Sequence, residues 1–558
     1  MTETQSRSLS LDELRMGSRF LFRLPSFLNH PWTPATAKTG LESRLRRRED
    51  NFLDMVRHSI FENEESPYKK LFTHAGCAYG DLERLATKDG VEATLRILLR
   101  AGVYLSIDEF KGRQPAYRGH TVIPISPEGL RNPRSRFHVA MKSGGSRSAG
   151  TTVVFDLDFI RTCAADTGLA LHGRGGDDWD KATWEVPGGG AWFSLLEFSQ
   201  FGKPPVGWFS QIDPSHRDVH PRYRWSNRAF LWGSRFSRTP MPSPRYAPLD
   251  NPRPIVHWIA DCLRERKTPY LLTYPSSALR LCQEARRTGT DLTGAQFTIA
   301  GEPCTPARMG AICSTGAKVL PKYAIMETGP VGYGCLHPES SDDIHLLKDL
   351  HALIQPDDLE AGGGFLPGTV LFTSLVPAAP ITLLNVSMGD QAKIVRRSCG
   401  CPLQGMGWTD HMTSIQSHEK LTCGGMNFLD ADVARVLDEV LPARFGGGPT
   451  DYQLVEEEKE DGRPELRLLV HPRLGPLNEQ DVVQSFFEEI GRSGGANEVM
   501  GLAWQEGKLL KVELRTPLST PSGKILHLHV PAPAGRAAVP GQGRSTQEQT
   551  GRTEEKSS

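Results

Sequence analysis

The sequence has no charge imbalance: 65 Lys plus Arg stand against 65 Asp plus Glu in 558 residues. A protein that coats a polyanion shows a basic excess, so nucleic acid is not an expected partner. No run approaches the roughly 18 to 20 consecutive apolar residues that a bilayer span requires, so no membrane span is expected. The opening stretch MTETQSRSLSLDELRMGSRF has no apolar core ahead of a small-residue cleavage site, as a secretory signal would, and Glu3, Asp12 and Glu13 do not suit an acid-poor transit peptide. Cysteine is scarce. Ten in the whole chain are too few for a disulfide scaffold and read as reduced thiols, which makes the expected location cytoplasmic. What is present, 38% hydrophobic and 8% aromatic residues, is ordinary globular composition, and the length accommodates about three or four structural units.

Residues 1 to about 60 are Arg-rich, including Leu45 to Arg48, and lack sustained apolar periodicity, so they read as an irregular leader. From Leu82 to Leu105 the apolar residues Leu82, Leu85, Val91, Leu95, Leu98 and Leu99 recur at helical spacing, with Gly90 as a break. Between 255 and 324 helices (Ile255 to Arg264, Ser276 to Arg287, Thr305 to Ser314) alternate with apolar runs (Tyr270 to Tyr274, Phe297 to Ala300, Lys318 to Ala324). That alternation predicts right-handed crossovers and an α/β fold with mainly parallel sheets flanked by helices. Ligands of such sheets bind beyond the carboxyl ends of the strands, which directs attention to Ala300 to Pro303 and to Tyr323 to Gly329. The Trp-rich stretch from about 171 to 240 reads mainly as core. A fresh α+β pattern after Gly424 predicts a small C-terminal domain, with a helix at Asp430 to Val440, a strand at Glu465 to Val470, a helix at Asn478 to Gly491 and a strand at Leu509 to Leu514. The expected division is a leader at 1–60, a large domain at 61–415, a small mobile domain at 416–530 and a disordered tail at 531–558.

The loop Lys142 to Thr152 lies between two apolar stretches and is rich in Gly and hydroxyl residues. Its backbone N–H groups, with Arg147, suit a nucleotide triphosphate, although no Gly-Lys-Ser/Thr closes it as in the Walker pattern. Further along stand Gly301-Glu-Pro303, Tyr323-Ala-Ile-Met-Glu-Thr328, Gly389-Asp390 and Pro521-Ser-Gly-Lys524. In this order the segments resemble the acyl-adenylate-forming superfamily and, within it, the phenylacetate-CoA ligases, over about residues 80 to 530. The resemblance implies an ATP-dependent acid–thiol ligase, with an aromatic or otherwise apolar carboxylic acid as small-molecule substrate. CoA or the phosphopantetheine thiol of an acyl carrier protein would be the acceptor.

Carried over residue by residue, the resemblance implies that Ser143, Gly144, Gly145, Ser146 and Arg147 cradle the phosphates. Gly301, Glu302 and Pro303 would border the adenine and acyl sites, and Tyr323 would lie against the adenine with Thr328 nearby. Glu327 would bind Mg²⁺, Asp390 would accept from the ribose hydroxyls, and Lys524 would bridge the attacking carboxylate and the α-phosphate. A carboxylate attacking a phosphate is anion on anion, so catalysis of this kind is charge neutralisation and positioning. The chain also departs from the pattern. The phosphate loop lacks a Lys after its Gly, Asn385-Val-Ser-Met388 replaces an Arg-bearing run, and Gln416 stands where the hinge carries a ribose-binding Arg. These departures raise the rival expectation of a non-catalytic binding module on the same fold.

Cys335, His345, Cys399 and Cys401 form a second constellation. Thiolates with one imidazole suit tetrahedral Zn²⁺ in a structural role, with His337 as an alternative third ligand. The pairs His216/His220 and His527/His529 read as solvated or core histidines.

Overall fold

The computed structural model describes residues 11–136, 138–142, 152–185, 188–213, 221–356, 365–417, 421–423, 426–428, 430–458, 464–491, 510–519 and 523–529. The expected leader is instead helical. Helices Leu11–Asn29, Pro34–Arg46 and Arg48–Val56 pack onto the main body, and Phe20, Leu24, Phe27 and Leu28 of the first are buried. Their spacing of four, three and one residues is one face of a helix, diluted in the sequence by arginines on the other. Thr33 starts the second helix with a capping box to Thr36, and Pro34 occupies its first turn.

One sheet of twelve strands forms the centre. Six strands run parallel in the order Lys318–Ile325, Gln296–Ala300, Pro269–Thr273, Asp180–Glu185, Gly207–Ser210 and Pro244–Tyr246. Helices Arg253–Arg264, Pro275–Thr288 and Pro306–Cys313 make the crossovers that the sequence pattern predicts. The other half is antiparallel, through Gly329–Gly334, Ile344–Leu346, Asp410–Ser417, Val386–Arg396, Thr369–Ser374 and His351–Ile354. The amphipathic stretch near 90 divides into helices Tyr79–Asp89 and Val91–Arg100 with Gly90 between them.

The chain after the sheet forms a smaller α+β unit. Its four strands, Leu510–Leu514, Pro464–Val470, Tyr452–Glu458 and Leu528–His529, pack with helix Glu479–Gly491 around their own core of Val433, Leu454, Leu466, Leu468, Phe486 and Ile490. Strand Tyr452–Glu458 is absent from the sequence reading because its second half, Glu456 to Glu458, is acidic. Of the six tryptophans expected in the core, Trp179, Trp184 and Trp208 are buried and Trp192 is half-buried, whereas Trp225 and Trp232 are exposed. No helix among the described residues is long and apolar enough to cross a membrane. His216 and His220, the phosphate-loop residues Ser143 to Arg147 and the tail at 531–558 lie outside the described residues.

Candidate active site

The carboxyl ends of the parallel strands Gln296–Ala300 and Lys318–Ile325 gather expected residues, and Asp390, within the antiparallel strand Val386–Arg396, meets them through Tyr323. Gly301 follows its strand with φ +82, where a Cβ would lie 2.9 Å from Lys524 Nζ. Only glycine allows the lysine this approach. Lys524 Nζ also stands 5.1 Å from the centre of the Tyr274 ring. Burial lowers the Lys524 pKa from its ordinary value, opposed by the nearby carboxylates of Glu302 and Glu185. Gly523 has φ +77 and abuts Gln211, whose Oε1 would be 1.7 Å from a Cβ there, so the turn before the lysine also depends on glycine.

Glu302 is the hub that fixes this turn. Its Oε1 accepts from Ser276 Oγ at 2.7 Å and from the backbone N–H of Ile525 at 3.1 Å, and its Oε2 accepts from Ser276 N–H at 2.9 Å and from Arg308 at 2.8 Å. Both oxygens are thereby engaged by protein donors, so Glu302 holds the Lys524 loop. Arg308 continues to Asp438 at 3.1 Å and lies 3.0 Å from His527 Nε2, which is itself 2.9 Å from Asp438. All four side chains are buried. His527 is thus a core histidine in an ionic network that joins the large sheet to the smaller unit.

On the neighbouring strand Tyr323 donates its hydroxyl to Asp390 Oδ2 at 2.5 Å, and burial with the Asp390 charge pushes its pKa well up. Asp390 follows Gly389 and pairs with Ser417 in the ladder, beside Gln391 and Gln416. Glu327 lies in the turn between Lys318–Ile325 and Gly329–Gly334, is buried, and accepts from Lys111 Nζ at 2.6 Å. Thr328 is buried, and its hydroxyl donates to Gly329 O at 3.1 Å within the same turn. Pro303 is half-buried before helix Pro306–Cys313.

The cysteines and histidines assemble on the antiparallel half. Cys335, His345, Cys399 and His411 place their donor atoms within 4.8 Å of one another. Cys401 joins them, with its sulfur 3.0 Å from His345 Nε2, and Cys399 Sγ is 3.6 Å from the same nitrogen. Four ligands around tetrahedral zinc stand about 3.3–3.8 Å apart, which these spacings approach. Each imidazole is aimed by its other nitrogen: His345 Nδ1 is 2.6 Å from Trp408 O and His411 Nδ1 is 2.8 Å from Asp343 Oδ1. His411 Nε2 is buried without a hydrogen-bond partner among the described residues, as a metal-directed nitrogen would be. Burial lowers the His345 pKa to about 4, keeping the ring neutral and able to ligate. Burial opposes ionisation of Cys401, but backbone N–H groups of Gln404, Leu336 and Leu403 and a hydrogen bond with Cys399 outweigh it and hold its pKa below the ordinary thiol value. His337 instead places Nδ1 2.9 Å from Cys399 O, outside this donor set. No disulfide forms among the described cysteines.

No protein-family model and no curated protein matches the chain. Among solved structures, 2-hydroxyisobutyryl-CoA ligase in the postadenylation state with R3-HIB-AMP is 16% identical, covering 87% of this chain and 88% of that chain with a TM-score of 0.50. The same ligase with 2-HIB-AMP is 17% identical over the same shares, with a TM-score of 0.49. The anthranilate CoA ligase AuaEII with anthranoyl-AMP is 11% identical, covering 70% of this chain and 66% of that chain, with a TM-score of 0.40. The chain has the ligase fold of the first. That fold joins a large N-terminal α/β part to a small C-terminal α+β part.

Three residues at these sites escape the sequence reading. Lys111 reaches Glu327 from far upstream, and nothing local marks it. His411 meets His345 because the two are directly opposed on antiparallel strands, with ring centres 4.1 Å apart. Arg308 sits one turn into a helix, where an arginine ordinarily faces solvent.

Proposed function

We propose that the protein is an ATP-dependent acid–thiol ligase. It activates a carboxylic acid as an acyl-adenylate with release of pyrophosphate, then passes the acyl group to CoA or a carrier-protein phosphopantetheine. The observation that carries this reading is the convergence of Lys524, Gly301, Tyr323, Asp390 and Glu327 on one carboxyl edge, with the lysine delivered by a separate unit and clamped there through Glu302. Burial disfavours the charge of this lysine, a perturbation that clusters at functional sites.

In this reading Lys524 neutralises the acid carboxylate and the α-phosphate as they approach. Asp390, oriented by Tyr323, accepts from the ribose hydroxyls. Glu327 would offer a carboxylate oxygen to Mg²⁺, which would supply neutralisation of the triphosphate. Lys111, which steadies Glu327, brings a second cation to the same turn. Ser143, Gly144, Gly145, Ser146 and Arg147 would form the phosphate loop, and the small domain, expected from 416, would begin just beyond Ser417, since Gln416 and Ser417 pair in the central sheet. The order of motifs favours the phenylacetate-CoA ligase type with an aromatic or otherwise apolar acyl body, and a cytoplasmic location. Zinc on Cys335, His345, Cys399 and Cys401, with His411 as a further donor, pins the antiparallel strands behind the site. The deciding experiment is pyrophosphate release by the purified protein across a panel of carboxylic acids, with and without CoA. Release dependent on one acid supports the reading, and none across a broad panel removes it.

A further inference from the structure

Four neighbouring strand ends define what can hold the acyl group. The parallel ladders set Thr183 opposite Leu272, Thr273 opposite Ile299, and Glu185 opposite Ser210. Continued to the strand ends, these registers bring Glu185, Tyr274 and Ala300 into one row across the carboxyl edge. Lys524 stands at one end of that row, against Gly301 and over the Tyr274 ring. At about 4.8 Å per strand, Glu185 lies roughly 10 Å along the sheet from the strand that ends at Ala300. An acid whose carboxylate meets Lys524 therefore points its body along the edge toward Glu185.

Glu185 is half-buried and has taken only part of its hydrogen bonding from the protein. Its Oε2 accepts from Thr183 Oγ1 at 2.5 Å, and the Ser194 hydroxyl also bonds to it. A carboxylate offers about four acceptor positions, so two have no donor among the described residues. Burial pushes the Glu185 pKa up, against those two hydroxyls and the more distant charges of Lys322 and Lys524. Next to it, at the end of Gly207–Ser210, Gln211 is 7% exposed and gives its amide N–H to Ser277 Oγ at 3.1 Å, while its Oε1 has no hydrogen-bond partner among the described residues. This part of the edge thus has an excess of acceptors.

We propose that Glu185 is a specificity-determining residue of the acyl subsite, and that the acid carries a hydrogen-bond donor, a hydroxyl or an ammonium group, on its acyl body. This inference rests on the adenylation reading. A bare hydrocarbon or aryl acid would bring apolar surface against the open acceptors of Glu185 and leave them unpaired, which sites built to bond a substrate donor reject strongly. A donor-bearing acid fills them and spans the row between Lys524 and Glu185.

The test uses matched acids: butyrate, its hydroxy derivatives and 4-aminobutyrate, and phenylacetate with its hydroxy and aminomethyl derivatives. Pyrophosphate release is measured for the full chain and for Glu185→Leu and Glu185→Gln, and binding of the same acids is measured by calorimetry. In the wild type the preferred donor-bearing acid should exceed its bare parent about 100-fold or more in kcat/KM, and Glu185→Leu should abolish that preference while the bare parent is held as well or better. Glu185→Gln separates the two donors, since it retains acceptance from a hydroxyl and loses the charge that an ammonium needs. A wild type that uses bare acids as well as their donor-bearing counterparts overturns the inference and leaves adenylation standing. If no acid releases pyrophosphate, adenylation falls, and binding decides the inference. Donor-dependent binding lost in Glu185→Leu supports it, and binding without donor preference, or none, overturns it. Circular dichroism and thermal melting exclude a folding defect in either variant.

Discussion

Lys524 is the residue on which the proposed reaction depends most. Its proposed task is confined to the phosphate step, so Lys524→Ala should reduce pyrophosphate release by on the order of 100-fold or more. Thioester formation from a supplied acyl-adenylate should fall far less, and comparable losses in both would remove the assignment. Its pH behaviour follows from its surroundings. Burial lowers the pKa, and the cation is the working form, so activity is present below that pKa and is lost as pH rises through it. The alkaline limb of adenylation should therefore lie below the ordinary lysine value of about 10.4, and Lys524→Arg should move it upward in whatever activity remains. At the cysteine cluster, elemental analysis of untagged protein should give about one zinc per chain, and Cys399→Ser/Cys401→Ser should lose it. His411→Gln should weaken retention against a chelator by about 10- to 100-fold, the range seen when a ligand or its support is removed. Unchanged retention would place His411 outside the site.

Elements bring these residues together with unequal visibility in the sequence. The alternation between 255 and 325 is legible because strands Pro269–Thr273 and Gln296–Ala300 are apolar runs buried on both faces and helix Arg253–Arg264 shows a clear apolar stripe. Gly301, just after one of these strands, and Tyr323, near the end of the next, are placed accordingly. The N-terminal helices are not legible, because an arginine-rich outer face masks four buried residues of the first helix. Long-range partners are less visible still: the pairing of Glu327 with Lys111, or of Arg308 with Asp438, depends on chain crossings that no local pattern encodes. The last of these makes a prediction about the joint between helix Pro306–Cys313 and the small unit. Arg308 is the buried cation between Glu302 and Asp438, and removing one member of such a group typically costs about 3–5 kcal/mol. Arg308→Met should loosen the clamp on Ile525 and slow adenylation by at least about tenfold with little effect on thioester formation. Equal slowing of both in a variant that remains folded at the assay temperature would show that the network does not serve the lysine.

For the whole molecule, the arrangement in which Lys524 lies against Gly301 suits only one half of the proposed reaction. In the proposed reaction the lysine serves the phosphate step alone, so the small unit is expected to move before an incoming thiol reaches the acyl carbon. Gln416 and Ser417 are held in the central sheet opposite Gln391 and Asp390, so a proline at 417 would disturb the strand that carries the proposed ribose ligand Asp390 as well as the connection. The residues just beyond the ladder are the better place to restrict rotation, since hinges are short connections that absorb large φ/ψ changes. His418→Pro, which fixes φ near −65°, should slow one half-reaction far more than the other and leave ATP affinity within a few-fold, because the proposed nucleotide contacts lie on the large part. Separate measurement of pyrophosphate release and of thioester formation decides it. A preferential loss of thioester formation means that the variant is held in the arrangement described here, and a preferential loss of adenylation means that it is held open. Equal loss in a normally folded variant would place the hinge elsewhere, or show that one arrangement serves both steps and that the clamp on Lys524 never needs to open.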